Sequence, residues 1–287
     1  MKVAVKLLAG LCVLVWVVPA TAEYVDDYEM FTASSGGTVL SGQYGYYLPT
    51  ASTPSTDFMA YTYMGNPLGV PSNPTGGQNF VAGTGPGGGT YARAEIVEDG
   101  MYGDGTGTWT VSFDIAANYL GTLPTAQNLG SWSMAVQADP LNPTIAGCLM
   151  LAQWADVETA AAWDANYIAY NADGTYIYPA VPDNPAFQDL LKSHWYRLST
   201  TFDFDSNKIT EVAIKDLATG EMATYNPTAW YLGGGAAGGL PVGTGFRYFA
   251  GTSTQAGNML AFDNMMLTPE PAAVLLLALM SVVARRR

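Results

Sequence analysis

Any acid–base or metal chemistry in this chain rests on its carboxylates, because 287 residues hold only one histidine and two cysteines. Glycan hydrolysis needs two carboxyl groups facing one substrate. The nearest string, Glu95-Ile96-Val97-Glu98-Asp99, puts its two glutamates on opposite faces of a strand and reads as solvated edge charge. Zinc would have to gather His194, Cys148 and carboxylates without an H-E-x-x-H pair. A serine triad would have only His194 as base, no serine sits in G-x-S-x-G, and His194 directly precedes a core-like strand. Asp203-Phe204-Asp205-Ser206-Asn207 opens like a calcium loop. Lys208 then takes the position that needs glycine and Ile214 the one that needs glutamate, so a hairpin turn is expected. These strings predict no catalytic residue.

Aromatic rings offer a second chemistry, stacking on the apolar faces of sugars. Trp109 and Trp132 fall on apolar faces and are expected in the core. Trp195 and Tyr231 fall on the polar side of their stretches, and Trp154, Trp163 and Trp230 in loops or ambiguous segments. These five are the candidates for surface platforms, with no spacing that singles one out.

The ends of the chain carry addresses rather than chemistry. Lys2 and Lys6 precede an apolar run from Leu7 to Val18, and Pro19-Ala20-Thr21-Ala22 offers an A-x-A cleavage site at Ala20 and Ala22. Residues 1–22 therefore read as a signal peptide, shorter in its apolar run than the ~20 residues of a span. At the other end, 269–287 run Pro269-Glu270-Pro271, thirteen apolar or small residues, then Arg285-Arg286-Arg287. The prolines isolate the segment from what precedes it, and the arginines suit a cytoplasmic headgroup layer.

Between them, 23–268 form one expected domain. It holds 23 of the 24 acidic residues and only 6 of the 11 cations, a formal −17 that argues against nucleic acid as a partner. Cys148 is its only cysteine, so no internal disulfide is possible, and its apolar setting reads as a buried inert thiol. Glycine, threonine, tyrosine and asparagine abound, as in an all-β chain.

Glu23–Phe31 reads as a first strand, with Val25, Asp27, Glu29 and Phe31 on one face. Residues 32–90 read as loops and short strands. Within them Gly83 to Gly89 contains G-x-G without the strand–helix context of a dinucleotide site, and reads as loop. Trp109, Val111, Phe113 and Ile115 share one face of a half-buried strand. Residues 166–178 predict a hairpin turning at Asn171–Gly174, and Phe187–Lys192 a helical turn. In 195–204, Tyr196, Leu198, Thr200, Phe202 and Phe204 are expected to face the core. The stretch turns at 205–208 and returns as 209–216. The ten to fourteen strands so counted predict a β-sandwich whose first and last strands pair, with both termini at one edge.

Two resemblances follow. Residues 269–287 resemble a PEP-CTERM sorting signal, which implies an exported, exosortase-processed protein. Trp195-Tyr196-Arg197-Leu198, Asp216-Leu217-Ala218-Thr219-Gly220 and Phe262-Asp263-Asn264 are similar to the strands and turn of a concanavalin A-like, laminin G-like jelly roll. Sandwiches of that type often hold a structural Ca2+ where the terminal strands meet, which implies Asp27, Glu29 and Asp263 as ligands. Together these imply an all-β, concanavalin A-like jelly-roll body flanked by a signal peptide and a hydrophobic sorting helix. The chain would meet signal peptidase and an exosortase during export. It would then serve a non-enzymatic structural or adhesive role at the cell surface or in an extracellular matrix, exopolysaccharide being its candidate partner. A carbohydrate-binding module and a glycan hydrolase or lyase are the alternatives. The thirteen-residue apolar segment is short for the ~30 Å hydrocarbon layer, so a transient membrane hold is expected rather than stable transmembrane anchoring.

Overall fold

The structure is a computed structural model. It describes residues 24–48, 55–88, 90–97, 105–120, 127–135, 149–155, 162–239, 245–250 and 256–270, with backbone alone for 127–135 and 149–155. The expected signal peptide, the expected sorting segment beyond Glu270, and Cys148 lie outside these residues.

Among the described residues the chain is all-β, with two single 3-10 turns. The strands in order are β1 (Tyr24–Asp26), β2 (Thr38–Val39), β3 (Ser55–Asp57), β4 (Met59–Thr62), β5 (Asn79–Thr84) and β6 (Tyr91–Val97). There follow β7 (Thr108–Tyr119), β8 (Gln127–Ala135), β9 (Leu149–Ala155), β10 (Ala162–Ala165), β11 (Tyr167–Tyr170) and β12 (Tyr176–Ala180). The last are β13 (Leu190–Leu191), β14 (Tyr196–Asp203), β15 (Lys208–Asp216), β16 (Met222–Tyr225), β17 (Gly245–Ala250) and β18 (Asn258–Pro269).

They form two sheets. One runs β16-β15-β14-β7-β18-β5-β4-β2 with β1 added beside β18, and the other runs β12-β11-β9-β8-β17-β6-β3 with β10 and β13 at its side. Among the described strands only β3 on β6 is a parallel pairing; the remaining strand pairs are antiparallel. The core lies between the sheets. Trp109, Val111, Phe113 and Ile115 of β7 enter it together, as the alternation predicts, beside Phe262 of β18 and Tyr248 of β17. The Tyr248 and Phe262 rings, 4.8 Å apart, join one sheet to the other. In β14 burial alternates without a break, so Tyr196, Leu198, Thr200 and Phe202 point inward and Arg197, Ser199 and Thr201 outward, as expected.

Other expectations need correction. Tyr24–Asp26 is the whole of the first strand, because Tyr28 adopts φ +59° and turns the chain after Asp26 accepts its N–H. The turn buries Tyr28 and Phe31 and leaves Val25 outside, so the predicted face is not kept. β1 does pair with β18, Tyr24 opposite Leu267, but β18 is an interior strand, so the termini meet within the sheet rather than at its edge. Gly83 belongs to β5 and not to a loop: a Cβ there would come within 2.3 Å of the Phe58 ring. Residues 185–187 form the helical turn, before Phe187–Lys192, and Leu190–Leu191 is a strand.

The hairpins stand as read. β11 and β12 pair around Asn171–Gly174, where Gly174 takes φ +81°. β14 and β15 turn at 204–207. In that turn Asp203 accepts the N–H of Asp205 and the hydroxyl of Ser206, while buried Asn207 donates to the carbonyls of Gly233 and Gly235. The D-x-D-x-N string is thus spent on folding the hairpin and holding the 232–238 loop.

Candidate functional site

The outer face of the first sheet carries a second, smaller core. Residues 63–78 fold back over it and bury Tyr63, Leu68 and Val70 against Phe80, Ala116, Trp195 and Met259. Asn66 organises this cover, donating to the carbonyls of Tyr63 and Val70 and accepting the N–H groups of Leu68 and Val70. Trp195 is buried beneath it, and its Nε1 donates to Pro71 O at 2.7 Å.

Next to this apolar patch lies a row of charge. Strand register sets Arg197 opposite Asp114 on one side and Asp263 opposite Asp114 on the other. Asp114 and Asp263 are both completely buried. Arg197 donates to both Asp114 oxygens, Nε to Oδ1 at 2.6 Å and Nη2 to Oδ2 at 2.9 Å. The covering segment supplies Asn73, whose Nδ2 donates to Asp114 Oδ2 and Asp263 Oδ2, and Thr75, whose hydroxyl donates to Asp114 Oδ2. A bulge in β18 after Asp263, with Asn264 at φ +48°, turns the Asn264 amide onto Asp114 Oδ2 at 2.7 Å. Tyr63 donates its hydroxyl to Asp263 Oδ2 at 2.6 Å. Burial pushes the Asp263 carboxyl up to about 7, with Tyr63, the Asn264 N–H and Asn73 pulling back and the Asp114 charge adding to the rise.

The three carboxylates implied as calcium ligands do not converge. Asp27 is exposed and accepts the N–H of Glu29; Glu29 accepts the N–H groups of Gln78 and Asn79; Asp263 sits in the buried row. Gly76 and Gly77 run between the last two, since a Cβ on Gly76 would strike Asp263 and one on Gly77 would strike Glu29. Among the described residues no group of three or more His, Cys, Asp or Glu side chains could hold a metal ion. Asp263 accepts from Tyr63, Asn73 and the Asn264 N–H, and Glu29 Oε1 accepts two backbone N–H groups.

None of Asp114, Arg197, Asn73, Thr75, Asn264 and Tyr63 was read as a site residue in the sequence, Arg197 and Asn264 entering only as parts of the jelly-roll motifs. The available signal was one charged residue on the outward register of each of three adjacent strands, visible only once the strand order is known. Asp114 and Asp263 are bridged by one amide and are themselves without solvent exposure.

His194 and Asp216 form a second ionisable pair among the described residues, Nε2 to Oδ1 at 2.9 Å. Burial pushes Asp216 up, but His194 and the N–H groups of Thr219 and Ala218 outweigh it and hold the carboxyl below its ordinary value. The pair closes the Asp216–Gly220 turn, as a structural role for His194 requires. The tryptophan platforms are corrected as well: Trp163 and Trp230 are buried in the main core, and Trp195 is buried under the 63–78 cover. Tyr231 is half-buried, with the Lys208 ammonium 5.2 Å from its ring centre. The side chains of Trp132 and Trp154 lie outside the described ones.

Of the processing residues, Pro269 and Glu270 are described. Pro269 ends β18 opposite Trp109, the Glu270 N–H donates to Thr108 O at 2.9 Å, and its Oε1 accepts the Thr110 hydroxyl at 2.8 Å. Ala20, Ala22, Pro271, Arg285, Arg286 and Arg287 fall outside the described residues.

No protein-family model and no curated protein matches the sequence. Among solved structures the chain is similar to alginate lyase Aly36B, with TM-score 0.42 and 13% identity over 67% of this chain and 82% of that one. It is similar to the cellulose induced protein Cip1, with TM-score 0.43 and 15% identity over 85% and 96%. It is also similar to the exoplasmic/lumenal domain of VIP36 in its Ca2+/Man2-bound form, with TM-score 0.40 and 13% identity over 67% and 76%. At identities this low each likeness concerns strand arrangement and transfers no activity.

Proposed function

We propose that this chain is an exported, surface-retained β-sandwich of the concanavalin A-like kind. Its role is structural or adhesive and non-enzymatic, and signal peptidase and an exosortase handle its two ends. The observation that carries this reading is the pairing of Tyr24 with Leu267. Both processing sites adjoin that pair, so the body leaves its two tails from one spot and keeps the rest of its surface free for contacts. The sorting segment continues directly from β18, which is hydrogen-bonded to β7 on one side and to β5 and β1 on the other. Tension on the tail therefore loads an interior strand along its length, where many ladder bonds must shear together. Such a strand suits a body held by its tail until that tail is cut.

Intact-mass analysis of the protein recovered from its native host tests both cleavages at once. The expected species starts at Glu23, lacks the residues beyond Pro269-Glu270-Pro271, and is found in the envelope or the medium. A full-length chain confined to the cytosol would overturn the proposal.

A further inference from the structure

One concavity on the body lies apart from the buried carboxylate row, and its lining has an unusual combination. Beside β1, the 27–31 turn and the 41–46 loop enclose a pocket of about 380 Å³, within the range of small-molecule sites. Its apolar wall is Val25, Met30, Phe31 and Tyr44, of which Val25, Met30 and Tyr44 are 56%, 70% and 55% exposed. Large apolar side chains left this open together mark a contact surface more than isolated ones do. The rest of the wall is acidic, Asp26, Asp27 and Glu29, and none of the described residues lining it is cationic.

The pocket is preformed. Gln43 staples the two segments, accepting the Thr32 N–H at 2.8 Å and donating to Val39 O at 2.7 Å. Asp26 accepts the Tyr46 hydroxyl, and Glu29 is fixed by two backbone N–H groups, so both carboxylates are oriented before any ligand arrives. Tyr44 holds φ +45°, a backbone region that costs a bulky residue energy, with its ring 4.9 Å from that of Phe31. A bulky aromatic held there and left half in solvent is poorly explained by packing alone.

We propose that this pocket binds a sugar unit bearing a free, protonated amino group, such as a hexosamine of a partly deacetylated glycan. The Tyr44 ring receives the apolar face of the sugar, and its π-face together with Asp27 and Glu29 attracts the ammonium. Three carboxylates without a counter-cation repel uronic acids and sulfated sugars. A fully N-acetylated or neutral sugar leaves those charges unanswered.

The experiment is isothermal titration of the full exported chain with a glucosamine pentasaccharide, its N-acetylated counterpart and pentalysine. The glucosamine oligomer is expected to bind about tenfold or more tighter than either of the others. Tyr44→Asn, which removes the ring while tolerating positive φ, and Asp27→Asn, at an exposed carboxylate, are each expected to weaken it about tenfold with an unchanged melting temperature. Equal binding of the N-acetylated oligomer, a match by pentalysine, indifference to Tyr44→Asn, or no binding at all would each overturn the inference. None of these outcomes touches the export reading, which stands on the mass of the secreted chain.

Discussion

Arg197 and Asp114 form a two-pronged ion pair between neighbouring strands, in which the guanidinium is 26% exposed and the carboxylate not at all. Around it the covering segment 63–78 is tied down by Asn73 and Thr75, so one carboxylate fastens three strands and a loop.

Removing the cation leaves that carboxylate buried and uncompensated. Arg197→Met is expected to destabilise the fold by about 3 kcal/mol, the low end for a broken buried pair because Arg197 reaches solvent. Urea denaturation measures it. The double variant Arg197→Met/Asp114→Leu is expected to recover part of the loss.

Asp263 makes stability depend on pH in a defined direction. Its carboxyl is raised from 3.8 to about 7 in the folded state, so the folded chain holds a proton that the unfolded chain releases. The contribution is full below pH 4 and is lost as pH rises through about 7, by up to ~4 kcal/mol. Asp26, pushed up to about 6 by burial against the help of the Tyr28 N–H and the Tyr46 hydroxyl, acts in the same sense. Asp263→Asn is expected to flatten the curve, its stability gap to the wild type narrowing between pH 4 and pH 7 in paired melts.

Trp195 is a packing residue. Trp195→Ala should cost about 3–5 kcal/mol and expose the 63–78 cover to proteolysis. The sugar binding proposed above should survive Trp195→Phe, which keeps most of the ring and loses the bond to Pro71 O.

Glu270 is held on the body by Thr110. Thr110→Val removes the hydroxyl and with it a charge-assisted hydrogen bond of about 1.5 kcal/mol, so the start of the tail should open roughly tenfold more often. Faster hydrogen exchange of the Glu270 N–H, with exchange in β17 of the other sheet unchanged, is the expected signature.

Alternation in the sequence was enough to identify the inward faces of β7 and β14, because core-facing residues recur at every second position, but it did not show that Ser112, Asp114 and Ala116 on the other face of β7 are covered too. The turns at Asn171–Gly174 and Asp203–Asn207 were equally legible, since side-chain-to-backbone bonds form within a few residues. Trp195 was misjudged for the complementary reason. Its polar neighbours Arg197 and Ser199 mark the outer face correctly, but that face is covered by a segment more than a hundred residues away in sequence. Glu29 and Asp263 were rightly placed near the meeting of the terminal strands, yet the donors that occupy them come from residues 63–79, which carry no periodic signal.

The sequence by itself determined the all-β character, the acidic charge and the hairpins, since these follow from local alternation, composition and turn chemistry. Only the tertiary structure decided that β18 is interior, that Asp114 and Asp263 are buried in one network, and that Tyr44 faces an acidic hollow. Those outcomes depend on strand order and on which loop covers which sheet, and contacts between residues far apart in the chain leave no periodic trace along it.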